Sequence, residues 1–130
     1  DGMHTVLNNG CASWEIAMLH HAIQRKTPFK LEQFARLCLN AQWSGPRCCK
    51  HGYNSYMRGL WNSKLFGENN YKGQAAQVES LVPLMRYLVV ELLSSCDEIR
   101  AEMRSFLCLA DTVSELRKLN LCCRSLLQMR

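Results

Sequence analysis

Three groups of side chains in this sequence are of types that do chemistry. The first is acidic. Asp1 heads the stretch DGMHTVLNNG, and Glu79 and Glu91 stand far along the chain. Enzymes that cut and join nucleic-acid strands hold a pair of divalent cations with acids of this kind, so that the two metals clamp the attacking and leaving oxygens. Asp1 with Glu79 or Glu91 has that form, although a glutamate on a helix ordinarily serves as solvated surface. The second group is basic and aromatic. Trp43, Tyr53, Tyr56, Trp61 and Tyr71 interleave with Arg47, Lys50, Arg58, Lys64 and Lys72. Cations neutralise phosphates and aromatic faces stack on unpaired bases, so the mixture suits a nucleic-acid groove. Large aromatics are also ordinary core anchors, and Trp61, on an apolar helical face, is expected in the core. The third group is Cys48, Cys49 and His51, with His20 and His21 elsewhere. Adjacent cysteines point apart, and neither C-x-x-C nor H-x₃-H occurs, so this spacing does not converge on a zinc tetrahedron. Cys11 is near His20 and His21 in sequence only, and there is no G-x-S-x-G, P-loop or G-x-G-x-x-G.

The elements that must position these residues read as helices. CASWEIAMLHHAIQ (11–24) places Trp14, Ala17, Met18 and Ile23 at helical spacing, with a start as early as Thr5 and an end at Thr27-Pro28. Residues 30–41 follow with Leu31, Phe34, Ala35, Leu37 and Cys38 on one face. Residues 42–54, with Gly45, Pro46 and Gly52, read as a loop, and 55–66 as a short helix despite Gly59. Residues 74–94 carry Val78, Leu81, Leu84, Met85, Leu88 and Leu92 inward; Pro83 either kinks that helix or restarts it. Ser95-Cys-Asp-Glu98 and Thr112-Val-Ser-Glu115 are capping-box patterns. They predict two further helices, the last with Val113, Leu116, Leu119, Cys123, Leu126 and Leu127 inward. The expectation is a mainly α, single compact domain over 1–130 of five to six helices, with at most a minimal strand at the N-terminus. Residues 1–66 hold the N-terminal helices and basic loop, and 74–130 the long C-terminal helices.

Composition sets bounds on function. The 130 residues are 48% hydrophobic and 21% charged, which is globular. No apolar run approaches the roughly 18 residues of a membrane span, because LVPLMRYLVVELL (81–93) is broken by Arg86 and Glu91; no membrane partner is expected. The net charge is +5, yet residues 16–77 hold nine basic and two acidic side chains, a surplus of +7. A basic middle fits a polyanion, and a solvated basic surface explains it equally. Eight cysteines permit a secreted disulfide framework. Two Cys-Cys pairs are awkward for one, and Cys38, Cys96 and Cys108 have apolar neighbours, so a reducing compartment is expected.

The segments DGMHTVLNNG (Asp1, Met3, His4, Gly10), AQWSGPR (41–47) and YKGQAAQVESLVPLMRYL (71–88, with Lys72 and Pro83) together resemble eukaryotic RNase H-like cut-and-paste DNA transposases of the CACTA-like group. The resemblance spans most of the chain and rests on short motifs. It implies that Asp1 is the second catalytic acid and a Mg²⁺ ligand, and that the first acid lies N-terminal to position 1 in a missing part of a parent protein. It also implies DNA as the partner and a nuclear location. The chain departs from the pattern at the third acid, which falls on Gln77, an amide without the charge to hold Mg²⁺. Glu79 is the remaining candidate catalytic acid beside Asp1, although it lies about 200° round the helix from position 77. The expected function is therefore a degenerate piece of a transposase-like core that touches nucleic-acid backbone through Lys50, Arg58, Lys64 and Lys72. The alternatives are a helical protein-interaction module with no catalytic role and a disulfide-bonded secreted bundle. The sequence leaves the oligomeric state open.

Overall fold

Three helix ends in this chain are set by side chains that bond back to the backbone. A computed structural model describes residues 10–40 and 53–129. Helix α1 (Cys11–Lys26) stops where Thr27 turns extended, as the following Pro28 requires, with the Thr27 hydroxyl on the Ile23 carbonyl at 2.7 Å. Helix α2 (Leu31–Asn40) opens with the Lys30 amide donating to Gln33 Oε1 at 2.7 Å. Helix α3 (Tyr53–Leu60) leads into a 3₁₀ turn over Ser63–Leu65. Helix α4 (Ala75–Glu91) is capped reciprocally: Gln74 receives the Gln77 backbone amide, and its own amide donates to Gln77 Oε1 at 2.8 Å. It runs unbroken through Pro83, although the missing N–H leaves the Glu79 carbonyl without its helical donor. Helix α5 (Arg100–Gln128) follows a 3₁₀ turn over Asp97–Ile99.

The chain is mainly α, with five α-helices and no strand among the described residues beyond one isolated bridge between Phe66 and Tyr71. Helices α1, α4 and α5 pack on one another, and α2 packs on α3. The core holds Ile16, Leu19 and Ile23 of α1, Phe34 and Cys38 of α2, and Met57 and Leu60 of α3. From α4 come Val78, Leu81, Leu84, Met85 and Leu88, and from α5 Met103, Phe106, Ala110 and Val113. Among the described residues no helix is long and apolar enough to cross a membrane.

The structure differs from the sequence reading in three places. Trp14 is exposed, not inward, because the buried face of α1 runs through Ala12, Ile16, Leu19 and Ile23. Neither capping-box pattern in the C-terminal third opens a helix. The 3₁₀ turn at Asp97 has no side-chain cap, and Thr112 sits inside α5 with its hydroxyl on the Cys108 carbonyl at 2.9 Å. Two expected helices are thus one helix of 29 residues. Finally, of the apolar positions expected inward beyond residue 112, only Val113 is buried; Leu119, Leu126 and Leu127 are exposed.

Candidate nucleic-acid interface

The described basic residues differ in what holds them. Lys26 pairs with Glu102, Arg86 with Asp111, Arg100 with Asp97, Arg117 with Glu79 and Lys118 with Glu115. These are solvent-exposed pairs, each contributing at most about 1 kcal/mol. Arg58, Lys64 and Lys72, like Arg25, Lys30, Arg36, Arg104 and Arg124, are exposed and form no ion pair among the described residues. The fourth expected phosphate contact, Lys50, lies outside the described residues, as do Arg47 and Trp43.

A rigid turn carries Lys64 and Lys72. Asn62 Oδ1 accepts from the Lys64 amide at 3.0 Å and fixes the start of the 3₁₀ turn. The Lys72 amide donates to the Leu65 carbonyl at 2.7 Å, so Lys72 stands opposite Leu65, one residue from Lys64. Between them the Phe66–Tyr71 bridge closes a turn in which Gly67 donates to the Asn70 carbonyl at 2.9 Å. A Cβ at Gly67 would come within 2.9 Å of Lys72 Cε, so glycine there gives the lysine stem room to cross. Glu68 adds one exposed carboxylate to this turn.

Two long-range attachments hold the turn on the core. Tyr71 is fully buried; its hydroxyl donates to the Leu60 carbonyl at 2.7 Å and its amide to the Ser13 carbonyl at 2.9 Å. Burial, and then Tyr56, push its phenol well above the ordinary range. His21 Nε2 lies 2.9 Å from the Glu68 carbonyl and 3.1 Å from that of Gly67. Both neighbours are acceptors, so this nitrogen carries the proton and clamps the turn to α1. Next to it His20 packs on Phe66, and its imidazole is lowered to about 4, first by burial and then by His21. It is neutral at pH 7 and adds no charge to the lysines and arginines of this region.

Three aromatics of the basic middle are not open for stacking on bases, whereas Trp14 and Tyr87, outside that set, are exposed. Trp61 and Tyr71 are buried, and Tyr56 is half-buried with its hydroxyl 2.7 Å from Ser80 Oγ. Trp61 packs between Phe34 and Phe66, as its place on the apolar face predicts. What remains is a surface for phosphates. Sequence reasoning missed Tyr71 and His21 as the residues that position it, since no local pattern announces a bond to a backbone carbonyl 11 or 46 residues away.

The acids expected to hold Mg²⁺ are placed differently. Asp1 lies outside the described residues. Glu79 is bound by Arg117 at 3.0 Å, beside a groove of about 90 Å³ between α4 and α5. Gln77 is occupied in the cap of α4. Among the described residues no three of His, Cys, Asp or Glu gather to hold a metal. As arranged, Glu79 and Gln77 do not fit a Mg²⁺ ion. None of the six described cysteines is in a disulfide among the described residues, and burial pushes the Cys38 thiol up to about 11 against the opposing effect of Trp61.

Comparison with family models, with curated proteins and with solved structures finds no match for this chain.

Proposed function

We propose that this domain binds the nucleic-acid backbone, DNA by its resemblance to transposases, through Arg58, Lys64 and Lys72. One observation carries the reading. Lys64 and Lys72 project from a turn anchored by Tyr71 and His21, Arg58 precedes it on α3, and none of the three has an acid partner among the described residues, as is also true of Arg25, Lys30, Arg36, Arg104 and Arg124. Unpaired cations on a rigid support are what counterion release needs, and the buried state of Trp61 and Tyr71 favours phosphate contact over base stacking. The role is non-catalytic in this reading, since Glu79 serves an ion pair. The test is binding of a short labelled DNA duplex across a salt series. Each phosphate contact adds about 0.9 to the slope of log affinity against log salt, so Arg58→Ala/Lys64→Ala/Lys72→Ala lowers that slope by about 2 to 3. Absence of binding at low salt, or an unchanged slope in the triple variant, refutes the reading.

A second reading, a protein-interaction module, is favoured by a different observation: the exposed apolar side chains near the end of α5.

A further inference from the structure

Helix α5 has two apolar stripes, and they face different ways. Over its first half Met103, Phe106, Ala110 and Val113 repeat at steps of three and four residues and are buried against the other helices. Continued along the same line, that stripe meets Arg117, Asn120 and Arg124, so the core-facing side turns polar after Val113. Apolar residues resume on another line, at Leu116, Leu119, Cys123 and Leu126, with Leu127 alongside. At 100° per residue the two stripes are roughly 130° apart, so the second points away from the body that the first one holds. Leu119 is 61% exposed, Leu126 64% and Leu127 68%.

We infer that this outer stripe is a self-association surface, and that its occupant is the same stripe on a second copy of the chain. Four features favour that partner. The steps from Leu116 to Leu126 are three, four and three residues, the narrow seam of a two-stranded coiled coil. The stripe faces away from the core, so two copies can pair along it with their bodies outside. Charge is sparse. Arg117 and Lys118 are taken by Glu79 and Glu115, and from Leu119 to Met129 only Arg124 is charged, on the other side of the helix. That leaves little to attract an anionic lipid surface or an acidic groove, and little to repel a like copy. The area also suffices: five or six such side chains per copy remove roughly 1,000 Å² in total, the lower limit for a specific and weak interface.

The measurement is the mass of the whole chain in solution, under reducing conditions, by sedimentation over a concentration series. A monomer of 15.0 kDa is expected to approach twice that mass between about 5 and about 300 μM, the range a small interface supports. Leu119→Glu/Leu126→Glu is expected to weaken association by at least about tenfold, with the helical circular dichroism of the dilute protein unchanged. Leu121→Glu is the control that separates this surface from general stickiness. Leu121 is as exposed, at 63%, but lies off the outer stripe, so its variant still dimerises. A wild-type chain that stays monomeric at the highest concentration overturns the inference, whether or not it then binds phosphatidylserine vesicles. So does a Leu121 variant that dissociates as fully as the double variant. DNA binding can fail without touching either outcome.

Discussion

His20 is a partly buried imidazole packed on the Phe66 ring with centroids 4.5 Å apart, and its Nδ1 is buried without a hydrogen-bond partner among the described residues. Because the folded protein holds it at about 4, against about 6.5 for a free histidine, the unfolded chain takes up the proton first as pH falls. Stability is therefore full above about pH 6.5 and declines towards pH 4, by about 1 to 3 kcal/mol from this group. Denaturant titrations at pH 7 and pH 4.5 should show the decline, and His20→Phe should flatten it. Glycines give a second contrast at this scale. A Cβ at Gly73 would lie 2.3 Å from Cε2 of Tyr71, a ring fixed by its bond to Leu60, so Gly73→Ala should cost about 1 to 3 kcal/mol. Gly59, inside α3, has nothing among the described residues within 4 Å of its would-be Cβ, and Gly59→Ala should add about 0.5 kcal/mol. Equilibrium unfolding of the two variants checks both signs. The cost of Gly59 inside a helix was legible in the sequence, whereas the His20 and Gly73 effects were not, since each depends on which ring the chain brings against the residue.

At the scale of the element, α4 and α5 show what local pattern does and does not determine. The inward positions of α4 follow from its spacing, because a helix buried along one side leaves only one arrangement of Val78, Leu81, Leu84, Met85 and Leu88. The boundary expected near Thr112 failed because a threonine hydroxyl can cap a new helix or bond four residues back within an existing one, and the local sequence is the same for both. The inward assignment of Leu119, Leu126 and Leu127 failed for another reason. Periodicity reports an apolar face but not whether this chain supplies something to cover it. The two halves of α5 should accordingly differ in energetics. Phe106→Ala should cost about 3 to 5 kcal/mol, whereas Leu126→Ala in dilute protein should stay within about 0.5 kcal/mol. Amide exchange in the same dilute sample should show stronger protection over residues 103–113 than over 117–128.

For the whole molecule, the mainly helical architecture of the described residues was legible, because every stretch with strong periodicity repeats at the helical interval. The candidate interface was legible only as charge. Composition located the basic middle, and the structure adds which cations have partners and which do not, a matter of tertiary neighbours. Glu79 illustrates the limit: as a residue type it suits a metal, and its guanidinium neighbour comes from a helix 38 positions away. The continuity of α5 has a mechanical consequence. A helix of 29 residues is about 43 Å long, and some 22 Å of it lies beyond Val113. The near half is clamped in the core, so the far half behaves as a lever and not as a tether. A tilt of about 10° at Val113 displaces the far end by about 4 Å, so a small rotation of the packed half is read out there as a large displacement.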